Sequence, residues 1–283
     1  MDMHPEIPEG INVSKTHPLA DFGLMLVGAV GIVIIIFIAA QLLAGVLVRF
    51  ISFETETRLF QNSSFASLIE GTSDFPEKTA YIQNLADQLS ARMDLPEGMQ
   101  ITAHYSDEDV PNAFATLGGN ILIYQGLIDE VSSENGLAMV VAHEIAHIKN
   151  RDPIMSLGRG VVSMIGIIAL TGFSDSSVMG NIAGFTGAGV LSKFSRDQES
   201  YADEEAVSAV MALYGTLEGA DDFFAAMLDE SSSINPIFFQ THPPTQARIE
   251  RINSGSQDTS RDRNIALTPL PDFLTADVAV DAE

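Results

Sequence analysis

The sequence contains no cysteine. This absence excludes a disulfide framework, a metal site built on thiolates and a lipid attached to an N-terminal cysteine. Basic residues are scarce as well: 14 lysines and arginines stand against 38 aspartates and glutamates, for a formal net charge of -24. So acidic a surface repels phosphate backbones and anionic lipid headgroups, and we expect no nucleic-acid partner. We interpret the charge as a heavily solvated acidic exterior.

A long apolar segment lies near the N-terminus. No residue from Phe22 through Val48 is charged, and Asp21 and Arg49 frame the run, which is long enough to cross a bilayer with some tilt. A cleaved secretory signal is the alternative, but such signals begin with basic residues and have a shorter apolar core. We therefore expect a retained single-pass anchor over residues 22–49, in contact with the lipid of a bacterial inner membrane. Basic residues on both sides of the span leave the orientation open.

The remainder of the chain divides by composition. Residues 1–21 form a short polar tail, residues 50–253 read as one continuous domain, and the acidic residues 254–283 predict a disordered tail. Within the domain, the glycine-rich, largely uncharged stretch 157–193 fits either a soluble apolar hairpin or a second membrane-embedded pair.

Periodicity predicts the main elements of the domain. Apolar residues at helical spacing indicate a helix over 76–93, and alternation over 99–105 indicates a strand. A Gly-Gly turn within 112–124 predicts a β-hairpin. Ser133 is a suitable N-cap for the next helix, and a further helix is predicted over 194–214.

The helix that begins after Ser133 contains the pentapeptide His143-Glu144-Ile145-Ala146-His147. Helical positions i and i+4 share a face, so both imidazoles can bind one metal ion while Glu144 points at its open side. This is the HExxH arrangement of zinc hydrolases, although the pentapeptide alone also occurs by chance. A catalytic zinc takes a third protein ligand, which in a chain without cysteine is a carboxylate or His242.

Glu199 is the third ligand that we expect. Asp203 follows four positions later on the same helical face, so one acid can bind the metal while the other accepts from the second nitrogen of a ligating histidine. The alternative is a solvated acidic helix face. Arg248 is expected to pair with Asp203 or with neighbours of Glu199, with a surface salt bridge as the alternative.

Four blocks together resemble the M48 family of zinc metalloendopeptidases. They are the HExxH pentapeptide, the RxxExxAD-type block Ser195–Asp203, the His-Pro-Pro block within Thr241–Arg248, and the strand Asn112–Ala115 before the Gly-Gly turn. The resemblance covers roughly residues 75–252. It implies a gluzincin-type domain, mainly α-helical with a small β-sheet whose edge strand receives the substrate, beside the N-terminal transmembrane helix.

Two departures limit the subgroup. HtpX-like members have two N-terminal spans where this chain has one, and the stretch 157–193 is poorer in long aliphatic runs than their later spans. We therefore expect kinship with singly anchored or soluble members, and we exclude the many-span Ste24 architecture.

The resemblance also implies roles for matching positions. The implied ligands of one zinc ion per chain are His143, His147 and Glu199. The implied catalytic residues are Glu144 and His242, the latter near the oxyanion or the metal. The implied substrate-binding residues are Asn112, Ala113 and Phe114.

The expected function is a membrane-anchored zinc metalloendopeptidase acting on polypeptides, such as misfolded or damaged membrane and envelope proteins. Zinc-bound water would attack the scissile carbonyl while Glu144 takes its proton and passes it to the leaving amine. His242 is a candidate donor to the oxyanion, an ordinary loop histidine, or an occupant of the fourth zinc position in a latent enzyme. The alternative function is a catalytically silent, zinc-stabilised membrane adaptor or chaperone, for which a general base such as Glu144 is not needed.

Overall fold

The computed structural model describes residues 18–62, 66, 69, 75–171, 194–228, 242, 248–250, 252 and 267–275. Within these ranges the helices are α1 (Pro18–Leu47), α2 (Phe53–Gln61), α3 (Pro76–Ser90), α4 (Gln125–Asp129), α5 (Glu134–Lys149), α6 (Asp152–Thr171), α7 (Arg196–Tyr214), α8 (Asp222–Leu228) and α9 (Asp272–Thr275). The strands are β1 (Thr102–Ser106), β2 (Ala113–Ala115) and β3 (Asn120–Tyr124). Most of the N-terminal tail, residues 172–193 and most of the Thr241–Arg248 block lie outside the described residues.

The fold class is confirmed as mainly helical with a small sheet. The strands lie in the order β1-β3-β2, with β1 parallel and β2 antiparallel to β3. The turn between β2 and β3 contains Gly118 and Gly119, whose φ angles of 70° and 81° favour glycine. This confirms the predicted hairpin, and β2 forms one edge of the described sheet.

Helix α5 runs through the core of the domain. The Ser133 hydroxyl accepts from the Gly136 N–H at 3.3 Å, which confirms the predicted N-cap. Every residue from Asn135 to Ile148 is buried, and α3, α7 and β2 pack around the helix. Each fully buried valine, leucine or isoleucine of such a helix contributes about 1.5–3 kcal/mol of transfer free energy. The two histidines of the pentapeptide are therefore fixed on a rigid element.

Helix α7 packs against α5 and carries the acidic block. A capping box opens it: the Ser195 hydroxyl accepts from the Gln198 N–H, and the Gln198 side-chain oxygen accepts from the Ser195 N–H. Gly215, with a φ of 71°, ends the helix in a left-handed conformation. The capped first turn places Glu199 against α5.

Two apolar helices, α1 and α6, pack against each other. The segment Leu19–Phe50 is a candidate membrane span by length and composition, and its apolar side chains are largely exposed. Helix α6 packs along α1, where the Gln41 amide donates to the Ser163 hydroxyl at 2.7 Å. Its segment Asp152–Ala169 is also long and apolar enough to span. Residues 157–171 of the stretch 157–193 are thus helical, and residues 172–193 lie outside the described residues.

The C-terminal segment 267–275 differs from the disordered tail that composition predicted. Leu274 is fully buried, and its carbonyl accepts from Lys78 Nζ at 3.4 Å and from the Gln125 amide at 3.0 Å. The Thr268 carbonyl accepts from the Glu134 N–H at 2.9 Å, at the start of α5. These contacts order the segment on the surface that α3, α4 and α5 share.

Candidate metal centre

Four buried side chains from three parts of the chain converge near the C-terminal end of α5. Nitrogen and oxygen atoms of His143, His147, Glu199 and His242 all lie within 4.8 Å of one another. His143 Nε2 is 3.1 Å from His147 Nε2 and 3.2 Å from His242 Nδ1. Glu199 Oε1 is 3.0 Å from His242 Nδ1. The structure therefore brings together the three expected ligands and His242.

Carboxylates outside the cluster fix the two α5 histidines. His143 Nδ1 lies 3.1 Å from Asp203 Oδ1, and His147 Nδ1 lies 2.8 Å from Asp152 Oδ2. A carboxylate accepts from the protonated ring nitrogen, so these hydrogen bonds place a proton on Nδ1 of each ring and direct Nε2 into the cluster. The position of Asp203 is the one that we expected.

Asp152 is a site residue that sequence reasoning missed. An acid just beyond the helical turn that carries a candidate ligand is a usable sequence signal for such a residue. Asp152 Oδ1 accepts from the Gln198 side-chain amide, which ties the start of α6 to the capped end of α7. Phe194 was also missed: its ring stacks on His147 with centroids 4.1 Å apart and shields that side of the cluster.

Arg248 is a buried member of the site rather than a surface ion-pair partner. Its guanidinium donates to both Asp203 oxygens, at 2.7 Å and 3.0 Å, and Nη1 lies 2.9 Å from Glu199 Oε2. It also lies over the Phe224 ring, 4.7 Å from the centroid. Such a bidentate contact holds the two α7 acids at a fixed spacing.

The charge environment of the cluster suits a cation. Burial raises the pKa of Glu199, but nearby His242 and hydrogen bonds from the histidines outweigh it and hold the pKa well below the usual value. Burial lowers the pKa of His147 and lowers that of His242 to about 3, so both rings stay neutral, as metal ligands must. Burial and the Arg248 charge lower the pKa of His143, but the Asp203 and Glu199 carboxylates outweigh both and raise it to about 9. A metal that binds His143 therefore displaces a proton from that ring. The residues fit a metal ion.

Glu144 lies between the cluster and the sheet. It is fully buried, its Oε2 accepts from the Ala115 N–H at 2.7 Å, and its Oε1 lies 3.5 Å from His242 Nε2. Burial raises the pKa of Glu144 to about 7, against the opposing effect of His143. A carboxyl with such a pKa can both accept and donate a proton near neutrality.

Strand β2 presents backbone groups on the side that faces Glu144. In its antiparallel register Phe114 pairs with Leu122 in β3, so the N–H groups of Ala113 and Ala115 point away from β3. The Asn112 carbonyl accepts from the Tyr124 N–H at 3.2 Å, and its buried side-chain oxygen has no hydrogen-bond partner among the described residues. All three expected substrate-side residues thus lie on or directly before the edge strand.

Comparisons with known proteins agree with this geometry. The family model of peptidase family M48 matches residues 76–255. A protease HtpX homolog of Salinibacter ruber is 31% identical over 205 residues, covering 60% of this chain and 72% of that protein. A protease HtpX homolog of Halobacterium salinarum is 29% identical over 205 residues, covering 54% of this chain and 71% of that protein. The beta-barrel assembly-enhancing protease of Yersinia pestis is 27% identical over 188 residues, covering 62% of this chain but 38% of that protein.

The family match spans more than half of the chain and includes all four residues of the buried cluster. M48 peptidases are zinc-dependent, so membership implies a metalloprotease whose buried histidine and glutamate cluster could hold a metal. This confirms the family that the sequence motifs resemble. The chain belongs to peptidase family M48.

Proposed function

We propose that the protein is a membrane-anchored zinc metalloendopeptidase. The observation that carries the proposal is the contact between Glu144 and Ala115, because it places a carboxyl of suitable pKa between the metal-binding cluster and a strand edge. The proposed zinc ligands are His143, His147 and Glu199, a combination of two histidines and one glutamate that catalytic zinc sites use. Zinc, when bound there, would supply a Lewis acid for the scissile carbonyl and lower the pKa of water.

Each residue of the site has its own proposed role in the reaction. Glu144 removes a proton from the attacking water and later delivers it to the leaving nitrogen. Asp203 and Asp152 hold the imidazoles in one orientation through the Nδ1 atoms. His242, whose Nε2 is 3.5 Å from Glu144, is the proposed donor to the negative oxygen that forms on the substrate.

Strand β2 is the proposed docking edge for the substrate. An extended peptide that pairs with this edge is held through its backbone, a mode that tolerates many side chains. A peptide that pairs with β2 would compete with Glu144 for the Ala115 N–H. The peptide would therefore bind directly beside the general base. We infer that Asn112, Ala113 and Phe114 contact the substrate backbone.

The proposed substrates are unfolded or damaged proteins of the membrane and envelope. Recognition through the backbone favours extended chains, and helix α1 would hold the domain beside a membrane, which we take to be a bacterial inner membrane. The name of the Yersinia pestis relative ties that protein to β-barrel assembly. Protease accessibility of a C-terminal tag in spheroplasts would establish the side of the membrane and with it the pool of substrates.

The substitution Glu144→Gln tests the function. Purified full-length protein should cleave casein, and the variant should retain metal yet lose activity by a factor of about 100 to 10,000, the usual contribution of general acid–base catalysis. Glu130→Gln, at an exposed glutamate just before α5, is the control and should remain active. Equal cleavage by the wild type and Glu144→Gln would refute the mechanism. The silent adaptor or chaperone predicts no metal-dependent cleavage by any of the three proteins.

A further inference from the structure

Helix α2 connects the apolar helix α1 to the turn that ends the proposed substrate strand. It begins soon after α1, with the Ser52 hydroxyl accepting from the Thr55 N–H at 3.2 Å. A Cβ atom on Gly118 would lie 2.8 Å from the Cα of Thr57, and one on Gly119 would lie 2.8 Å from the Phe53 ring. Only a glycine allows so close an approach, so the turn packs directly against the α2 backbone at Gly118 and against the Phe53 ring at Gly119.

Glu56 is buried at the centre of this contact. Its sequence surroundings, Phe53-Glu54-Thr55-Glu56-Thr57, suggest a solvated helix, yet the residue is only 2% exposed. Its Oε1 accepts from the Gly118 N–H at 3.0 Å, and its Oε2 lies 2.7 Å from Arg151 Nη2. Burial raises the pKa of Glu56, with Arg151 opposing the shift. Burying a carboxylate costs free energy unless its hydrogen-bond and ion-pair partners are held in place.

Arg151 connects the same carboxylate to the end of α5. It follows α5 with a φ of 65°, a left-handed conformation that is uncommon for residues with a side chain. Besides its contact with Glu56, its Nη2 donates to the Ile51 carbonyl at 2.9 Å. These side-chain contacts stabilise a backbone conformation that would otherwise be unfavourable.

Both partners of Glu56 lie next to groups of the proposed active site. Gly118 follows Ala115, whose N–H donates to Glu144, by three residues. Arg151 directly precedes Asp152, which holds His147. One carboxylate therefore contacts both the turn behind the docking edge and the chain reversal behind a proposed metal ligand.

An apolar cluster joins the same elements. Its buried members come from the turn after α1, from α2, from the hairpin turn and from the start of α6, and they are Val48, Phe60, Leu117, Ile154 and Met155. This cluster is separate from the main core. It excludes water around the junction, which strengthens electrostatic contacts there.

We propose that Glu56 is a positioning residue for the peptidase reaction, which fixes the docking edge of β2 relative to the metal-bearing end of α5 through Gly118 and Arg151. This role rests on the peptidase function proposed above. It makes the geometry of the site depend on α2, the helix that follows the membrane anchor.

The test compares three variants of the full-length protein in detergent, with an unfolded peptide as substrate. Glu56→Ala removes both contacts, whereas Glu56→Gln keeps an acceptor for the Gly118 N–H and loses the ion pair. Glu54→Gln is the matched control, because Glu54 lies on the same helix with its side chain 75% exposed and pairs with Arg58. In Glu56→Ala we expect KM to rise about tenfold or more, the usual effect of losing a buried hydrogen bond to a charged group, with kcat changed less than about threefold.

Glu56→Gln should give a KM between those of Glu56→Ala and Glu54→Gln, with one zinc per chain in every variant. Hydrogen exchange in residues 113–120 should be faster in Glu56→Ala than in the control, which reports on the edge strand independently of activity. Kinetic constants for both Glu56 variants equal to those of Glu54→Gln would overturn the role while leaving the peptidase function intact. If Glu56→Ala does not fold, a control-like KM in Glu56→Gln overturns the role alone. A wild type without activity would refute the peptidase function and this role with it.

Discussion

The Asp152 carboxylate lies 2.8 Å from His147 Nδ1, although the two residues belong to different helices. His147 is in the last turn of α5, and Asp152 begins α6. The chain reverses between them at Arg151, whose positive φ turns Asp152 back towards the candidate metal site. A sharp chain reversal after α5 thus supplies the hydrogen bond that orients one of the proposed ligands.

Replacement of Asp152 by alanine should lower zinc affinity by about 10 to 100-fold, because partners that orient ligating histidines usually contribute that much. The Gln198 amide would lose an acceptor as well. Competition with a chromogenic chelator measures the affinity. Asp197→Ala, at an exposed acid in the first turn of α7, is the control and should bind zinc like the wild type. An unchanged affinity in Asp152→Ala would show that packing alone orients His147.

Replacement of Glu199 should have a larger effect than replacement of Asp203. If Glu199 is the third ligand, Glu199→Ala should lose more than the roughly 10 to 100-fold in zinc affinity expected for Asp203→Ala, which removes the partner of His143 and Arg248 but no proposed ligand. Metal analysis after dialysis distinguishes the two variants. Glu204→Ala changes an exposed acid on the same helix and is the matched control. Full zinc content in Glu199→Ala would move the third ligand to Asp203 or His242.

His242 is positioned for two different roles, and one substitution separates them. Its Nδ1 lies near His143 and Glu199, whereas its Nε2 faces Glu144. As an oxyanion donor, His242→Ala should lower kcat by about 100-fold or more with full zinc content. Loss of zinc would identify His242 as a ligand, and a rise in activity would identify it as the occupant of a latent site. Glu144→Gln, measured in parallel, supplies the activity floor.

Local pattern was sufficient for the elements that carry the proposed ligands. The spacing of His143 and His147 on a helix and the hairpin signal at Gly118 depend on short-range geometry, so they were readable from the sequence. The spacing of Glu199 and Asp203 also predicted that both would share one face, and both are buried against α5.

Tertiary contacts decided the residues that sequence reasoning missed. Glu56 lies among charged and polar neighbours, and only the approach of the glycine turn and Arg151 buries it. The sequence does not distinguish a buried ion pair of Arg248 from a surface salt bridge, because its partners lie 45 and 49 positions away. Leu274 stands in an acidic tail that looks disordered, but its side chain is buried in the main core and its carbonyl accepts from side chains of α3 and α4.

His104, which lies in β1 outside the candidate metal site, should make the stability of the protein depend on pH. Its Nε2 lies 2.9 Å from Asn120 Oδ1, and burial lowers its pKa below the usual value of about 6.5 although this hydrogen bond opposes the shift. Below pH 6.5 the unfolded chain therefore binds this proton more readily than the folded protein does, so the free energy of unfolding falls as the pH falls. Above that pH the residue contributes no such dependence.

The substitution His104→Gln should remove this part of the pH dependence, because the glutamine amide can still donate to Asn120 but does not titrate. Thermal unfolding of both proteins between pH 8 and pH 5 measures the effect. The wild type should lose stability relative to the variant only as the pH falls below about 6.5. Parallel curves for the two proteins over the whole range would mean that the folded and unfolded forms bind the His104 proton equally well. The difference has to come from His104 itself, since every other titrating group is common to both proteins.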